Sequence, residues 1–127
     1  QARREGYVET FFGRRRYLPE IHSAAEYIRG EAERMAVNAP IQGTAADIVK
    51  LGMIRSQEMI RLKFPGEAFQ LLQIHDALLF EVKKEVLGGF ISETKEILEK
   101  IYQGDVKLGV EIKYGPDWGE MNKYNVV

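Results

Sequence analysis

The clearest pattern of apolar and polar positions lies in residues 71–82, which read LLQIHDALLFEV. Apolar residues run up to a polar pair, His75 and Asp76, and continue on its other side. This arrangement is typical of two buried strands joined by a tight turn. Because nearly every strand position is apolar, we expect both faces of this hairpin to be at least partly covered.

Three other segments carry strand or helix patterns. Residues 7–12 alternate and end at Gly13, which predicts a short hairpin or an extended segment with a basic tip. Residues 84–102 predict an amphipathic helix, since their apolar side chains recur at helical spacing. Residues 106–114 alternate again and predict a last strand.

Two helices are predicted between the two hairpins. Ser23, followed by Glu26 three residues later, resembles a capping box and predicts a helix over residues 24–38. Pro40 predicts either a kink or the first turn of a second helix, over residues 41–62. The order β, α, α, β, β, α, β predicts an α+β fold, an antiparallel sheet with helices packed on one face.

Composition narrows the class of protein. A chain of 127 residues with a net charge of −1 has the size of one compact domain and carries no overall basic field. It has no cysteine, which excludes disulfides and thiolate metal sites. With no membrane-length apolar run and no signal peptide, we expect a cytoplasmic protein without a membrane partner. The start at Gln1 leads us to expect one fragment, residues 1–127, of a larger protein.

A row of hydrogen-bond donors is predicted on the central helix. Arg34, Asn38 and Gln42 are spaced by four residues and share one face if the helix is continuous. Such a row suits the DNA minor groove, where every base pair presents an acceptor whatever its identity. An ordinary solvated helix face is the alternative, and Pro40 lies within the span.

Three further features of the sequence have competing interpretations. The run Arg14, Arg15 and Arg16 indicates either phosphate contacts or a solubilising loop. Asp47 is interpreted as a surface or salt-bridge residue rather than a catalytic one. The small residues at 43–46 indicate a close backbone approach, with helix–helix packing favoured for the alanines.

The turn at His75 and Asp76 is the sharpest candidate site. A carboxylate held at a strand turn is suited to a hard divalent cation, and the neighbouring imidazole to a hydrogen bond with substrate or phosphate. The alternative is a turn in which Asp76 accepts hydrogen bonds from its own backbone.

Four motifs in order resemble family A DNA polymerases of the DNA polymerase I type, over nearly the whole chain. GYVETFFGRRRYLP resembles the basic segment before the palm helices, and AERMAVNAPIQGTAADIVK the helix along the primer–template. QIHDALLFEV resembles the motif C hairpin and VEIKYGPDW the closing strand of the palm.

The resemblance implies a role for each candidate residue. Asp76 corresponds to one of two catalytic aspartates that hold Mg²⁺, and His75 to a contact with the primer-terminal nucleotide. Arg34, Asn38 and Gln42 correspond to minor-groove contacts. The implied partners are primer–template DNA, deoxynucleoside triphosphates and the missing N-terminal part of the polymerase, in cis or in trans.

Two departures from the family limit what the chain can do alone. Ala77 replaces the glutamate that usually follows the motif C aspartate, and the motif A aspartate and fingers helix lie upstream of this sequence. We therefore expect template-directed nucleotidyl transfer from the whole enzyme and none from this chain alone. A non-catalytic DNA-binding module is the alternative, and a metal-dependent hydrolase centred on His75 and Asp76 is a third interpretation.

Overall fold

The computed structural model of the chain describes residues 1–125. Its helices are α1 (Ala2–Glu5), α2 (Glu26–Lys63) and α3 (Leu87–Glu99), with 3₁₀ turns at Pro19–His22 and Lys84–Val86. Its strands are β1 (Tyr7–Glu9), β2 (Arg15–Tyr17), β3 (Ala68–Ile74), β4 (Ala77–Val82), β5 (Lys113–Tyr114) and β6 (Asn122–Lys123). The backbone clusters into two compact units, Gln1–Lys50 and Leu51–Val127, which are described in turn.

The first unit is built on the predicted N-terminal hairpin. Strands β1 and β2 pair antiparallel, with Tyr7 opposite Tyr17 and Glu9 opposite Arg15. The tip is therefore formed by residues 10–14, and two of the three arginines lie on strand β2 rather than at the tip. The core of this unit consists of four buried apolar residues, Val8, Leu18, Ile21 and Ala32.

Helix α2 is one continuous helix, so of the two alternatives at Pro40 the start of a second helix is wrong. Proline removes a single backbone N–H and therefore one intrahelical hydrogen bond, and the turns on either side remain helical here. The predicted start is also early, because the helix begins at Glu26. The Ser23 hydroxyl accepts a hydrogen bond from the backbone N–H of Ala25 at 3.2 Å instead of capping the helix.

The second unit contains the predicted central hairpin and the last helix. Strands β3 and β4 pair antiparallel from Ala68 opposite Val82 to Ile74 opposite Ala77. Their core is a cluster of buried residues from the end of α2, from β3 and from α3, namely Met59, Ile60, Ala68 and Phe90. Phe69, Leu71 and Leu72 are about half exposed, so within the described residues the hairpin is covered only in part.

The C-terminal segment forms a much shorter strand than predicted. Among the residues that the structure describes, the ladder includes only Lys113–Tyr114 of the predicted 106–114 strand, with Asn122–Lys123 as the antiparallel neighbour. Asp117 shapes the connecting turn, since its Oδ1 accepts hydrogen bonds from the backbone N–H groups of Gly119 at 2.8 Å and Glu120 at 3.0 Å.

The fold class, α+β with antiparallel strands, is confirmed. Within residues 1–125 the strands form three separate two-stranded ladders, β1–β2, β3–β4 and β5–β6. None of the helices in this part of the chain combines the length and the apolar character needed to cross a membrane.

Candidate catalytic turn and nucleic-acid interface

The His75–Asp76 turn is the complete two-residue loop of the β3–β4 hairpin. Ile74 and Ala77 are the last paired positions on either side, so both loop side chains project from the end of the ladder. His75 has a φ of 52°, in the left-handed region that histidine tolerates better than most residues. The side-chain amide of Gln73 donates a hydrogen bond to the His75 carbonyl at 3.3 Å, which braces the turn.

The carboxylate of Asp76 is exposed and uncommitted. Among residues 1–125 it has neither a hydrogen-bond donor nor a cationic partner. The alternative of a self-satisfied Asp76 turn is therefore not what the structure contains. An exposed carboxylate of this kind is available to an external cation without first breaking an internal contact.

The acidic residues near the hairpin do not assemble into a metal cage. Within the described part of the chain, no group of three or more histidine or acidic side chains lies close enough to hold a metal ion. Glu81, the other acidic residue of the hairpin, pairs with Phe69 near the end of the ladder that is remote from the turn. The hydrolase interpretation needs several metal ligands from this chain, and the described residues do not bring such a group together.

The predicted donor row lies on one face of α2, because the helix runs through Pro40 without a break. Arg34, Asn38 and Gln42 are all exposed, and none has a hydrogen-bond or ion-pair partner among the residues that the structure describes. At a rise of about 1.5 Å per residue, the row is about 12 Å long. That length corresponds to about three to four base-pair steps of a duplex.

Exposed apolar side chains flank the donor row, which the sequence reasoning missed. Val37 is 69% exposed and Ile41 is 71% exposed, three residues after Arg34 and Asn38 respectively. Residues three apart are neighbours on a helix surface, so this face presents methyl groups beside the donors. Their spacing of three residues from the donors is the sequence signal that indicates this placement.

The three consecutive arginines have different partners. Arg14 forms an ion pair with Asp47, with Nε and Oδ1 2.7 Å apart, so Asp47 is the salt-bridge residue that was expected. Arg15 pairs with Glu9, also at 2.7 Å, and the contact raises the pKa of the Arg15 guanidinium. Arg16 has no carboxylate partner in residues 1–125, and its Nη2 lies 3.5 Å from the sulfur of Met35.

The alanines among the small residues at 43–46 do not serve helix–helix packing. Ala45 and Ala46 are exposed, so the favoured interpretation for the alanines is wrong within the described residues. Gly43 instead receives the tip of the β1–β2 hairpin, because a Cβ there would lie 2.6 Å from Cγ2 of Thr10.

Comparison with known proteins gives a consistent result over most of the chain. The family model for DNA polymerase family A matches residues 1–120. The thermostable DNA polymerase I of Thermus aquaticus is 47% identical over 118 residues, which are 93% of this chain and 14% of that protein. DNA polymerase I of Mycobacterium leprae (strain TN) is 44% identical over 119 residues, which are 94% of this chain and 13% of that protein.

A solved structure of a related polymerase domain is also similar to this chain. It is the POL domain of Pol1 from M. smegmatis in complex with DNA primer-template and dNTP, and it is 47% identical with a TM-score of 0.79. The similarity covers 85% of this chain and 19% of that chain. The chain thus spans between 13% and 14% of the length of the two polymerases named above.

Proposed function

This chain belongs to DNA polymerase family A, and we propose that residues 1–127 form the C-terminal palm region of a DNA-directed DNA polymerase. The reaction is template-directed nucleotidyl transfer to a primer 3′-hydroxyl. The observation that carries the proposal is the uncommitted carboxylate of Asp76, presented at a hairpin turn inside the segment that matches the family. The substrates are primer–template DNA and deoxynucleoside triphosphates.

Asp76 is the residue of this chain that suits Mg²⁺. Its carboxylate oxygens are hard ligands that would hold the ion, and its exposure leaves them accessible to it. Bound Mg²⁺ supplies charge neutralisation on the triphosphate and a lowered pKa of the primer hydroxyl. Because one carboxylate cannot hold a pair of ions, the second aspartate has to come from the N-terminal part of the polymerase.

The other site residues bind and orient the DNA in this proposal. The donor row of Arg34, Asn38 and Gln42 lies along the minor groove, where it contacts acceptor atoms common to all base pairs. His75, next to Asp76, donates a hydrogen bond to the primer-terminal nucleotide. Positioning of this kind accounts for a large part of the rate of phosphoryl transfer.

The chain alone is expected to be inactive. It lacks the motif A aspartate and the fingers helix, and Ala77 stands where the family usually has glutamate. The test is primer extension with the purified chain, first alone and then with the N-terminal part of the polymerase supplied in trans. We expect incorporation of nucleotides only in the second case.

Asp76→Asn is the decisive variant, since it keeps the shape of the side chain and removes the charge. In the combined assay we expect incorporation to fall by at least about 100-fold, the typical loss when a charge-stabilising group is removed from an active site. Asp105→Asn is the matched control, because Asp105 is also an exposed aspartate in a loop. Full activity of the Asp76→Asn protein would exclude the proposed role of Asp76.

A non-catalytic DNA-binding module is the second candidate, and one observation favours it. The donor row and the basic hairpin both lie in the unit Gln1–Lys50, which does not contain Asp76. Titration of a primer–template with and without Mg²⁺ separates the two functions. Metal-independent binding that is unchanged in Asp76→Ala, combined with inactivity in the trans assay, supports the module.

The proposed partners also suggest where the protein acts. DNA and deoxynucleoside triphosphates meet in the cytoplasm of a bacterial cell, and the named relatives are bacterial polymerases. A cytoplasmic location therefore forms part of the proposal. Fractionation of cells that express the tagged full-length protein tests it.

A further inference from the structure

Arg14 donates three hydrogen bonds to other residues of the first unit. Its Nε donates to Oδ1 of Asp47 at 2.7 Å, and its Nη2 donates to the carbonyl of Gly43 at 3.2 Å. Its backbone N–H donates to Oγ1 of Thr10 at 3.2 Å. The guanidinium therefore joins the tip of the β1–β2 hairpin to one turn of α2.

The turn of α2 that contacts the hairpin tip provides both space and a hydrogen-bond acceptor for it. A Cβ on Gly43 would lie 2.6 Å from Cγ2 of Thr10 and 3.2 Å from Nη2 of Arg14, so a side chain there would displace the tip. The Thr44 hydroxyl donates to the Pro40 carbonyl at 2.6 Å and accepts from the backbone N–H of Phe11 at 2.9 Å. Two consecutive positions on the helix thus serve the hairpin.

Asp47 is largely withdrawn from solvent, with its side chain 12% exposed against 57% for Arg14. Its second oxygen, Oδ2, is buried without a hydrogen-bond partner in the described part of the chain. A carboxylate in this position is stable only while its cation remains in place. Asp47 therefore restrains the Arg14 guanidinium.

The guanidinium groups of the other two arginines have different partners from that of Arg14. Arg15 is held by Glu9 and lies 4.5 Å above the ring of Tyr7. Within residues 1–125 the hydrogen-bond partner of the Arg16 guanidinium is the thioether of Met35, and sulfur is a weak acceptor. An exposed guanidinium without a carboxylate partner can bind a phosphate without losing an ion pair.

We infer a division of labour within the arginine run, which rests on the proposed binding of DNA. Arg14 is a positioning residue that, with Asp47, Gly43 and Thr44, docks the hairpin on the helix that carries the donor row. Arg16 is the cation of the run that contacts a DNA phosphate. Docking fixes the place of Arg16 with respect to the donors, so that one duplex meets both.

The salt dependence of DNA binding tests this division. Each phosphate contact contributes about 0.9 to the slope of log affinity against log salt concentration. In the complete 127-residue chain, Arg16→Ala is expected to lower the slope by about 0.9. Arg14→Ala is expected to lower the affinity without changing the slope.

Asp47→Asn separates positioning from simple electrostatics. Removal of a negative charge near DNA raises affinity when only charge matters. We expect affinity to fall instead, about fivefold, as for the loss of one ordinary hydrogen bond. Glu33→Gln is the matched control, since it removes a charge from the same helix and frees the terminal Arg3, and it should not weaken binding.

The Arg14 Nε–H resonance gives a measurement that does not depend on DNA. It should shift and exchange faster in Asp47→Asn and stay unchanged in Glu33→Gln. If Asp47→Asn fails to fold, the double variant Arg14→Asp with Asp47→Arg provides a second test. It keeps the ion pair with the two charges exchanged, and it should restore both the fold and the affinity.

Different results overturn different statements. A slope that falls in Arg14→Ala, or tighter binding by Asp47→Asn with an unchanged Arg14 resonance, overturns the division of labour and leaves the polymerase assignment standing. If the unaltered chain fails to bind a primer–template, the proposed function and the role of Arg16 are both overturned. The resonance then still decides whether Asp47 docks the hairpin.

Discussion

Gly52 on α2 lies so close to Leu98 on α3 that a Cβ on the glycine would be 2.6 Å from Cδ2 of the leucine. It would also be 3.3 Å from Cδ1 of Ile101. Gly52 is buried, so the second half of α2 and the end of α3 approach each other over a position that has no side chain. The second unit therefore depends on glycine here for packing rather than for backbone freedom.

Gly52→Ala is expected to destabilise the protein although alanine is the better helix former. The gain in helix propensity is about 1 kcal/mol, whereas overpacking of a filled core costs about 1–3 kcal/mol. We expect a net loss of about 1 kcal/mol in the free energy of unfolding, measured by urea denaturation.

Gly30→Ala is the matched control on the same helix. A Cβ at Gly30 meets nothing within 4 Å, so only the gain in helix propensity remains. That variant should be more stable by about 0.5–1 kcal/mol. Equal effects of the two substitutions would show that Leu98 moves aside without cost.

Phe90 is the centre of the aromatic packing in the second unit. It is 3% exposed, and its ring centroid lies 5.6 Å from that of Phe64 and 5.2 Å from that of Phe80. Phe90→Ala is expected to cost about 3–5 kcal/mol of unfolding free energy through lost burial and a residual cavity. Leu62→Ala, at an exposed position of α2, should change stability by less than about 0.5 kcal/mol in the same urea titration.

Local signals predicted the hairpin of the second unit well. The apolar runs on either side of His75 and Asp76 predict strands over residues 69–74 and 78–82, within one residue of the observed bounds, because strand period and turn chemistry are encoded over a few neighbours. What covers the strands was not predictable, since Phe69 and Leu71 are half exposed. An apolar run shows that a strand can be buried and does not identify the segment that buries it.

Tertiary contacts explain most of the remaining differences. Arg14 and Asp47 are 33 positions apart, and no local pattern indicates that the hairpin tip reaches that turn of α2. The sequence predicted a nine-residue strand over 106–114, but a strand needs a neighbour to form a ladder, and within residues 1–125 the neighbour Asn122–Lys123 pairs with Lys113–Tyr114 alone. Pro40 weakened the prediction of the donor row, yet the loss of one hydrogen bond did not end a helix supported on both sides.

Acid should loosen the β5–β6 ladder. A hydrogen bond from Lys123, with Nζ 3.1 Å from Glu111, and the charge of Lys113 hold the pKa of Glu111 below the ordinary glutamate value of 4.5. A lowered carboxyl pKa stabilises the folded ladder above that ordinary value, and the stabilisation is lost as pH falls through the lowered pKa. The effect is expected to be small, since all three groups are exposed.

The readout for the ladder is the backbone N–H of Tyr124, which donates to the carbonyl of Ile112 at 2.8 Å. Its hydrogen-exchange protection, corrected for the intrinsic pH dependence of exchange, should decline below pH 4.5. Glu111→Gln should show no such decline, because the amide does not titrate. A decline of equal size in both proteins would assign the effect to other carboxyl groups.

The donor row can be removed without disturbing the fold. Because Arg34, Asn38 and Gln42 are exposed and have no partners among residues 1–125, alanine at all three should change the unfolding free energy by less than about 0.5 kcal/mol. If the row binds DNA as proposed, affinity for a primer–template should fall in that variant, since three donors to base edges and the sugar–phosphate walls are then lost.

A single pair of substitutions separates the donor row from general positive charge. Arg34→Ala and Arg61→Ala each remove one exposed guanidinium from α2, but Arg61 lies in the last turn of the helix, far along it from the row. If the row contacts DNA, Arg34→Ala lowers affinity at every salt concentration, whereas Arg61→Ala has at most a weak effect that disappears at high salt. Equal losses in the two variants would favour a diffuse basic surface, and affinity measured by fluorescence anisotropy at several salt concentrations decides between them.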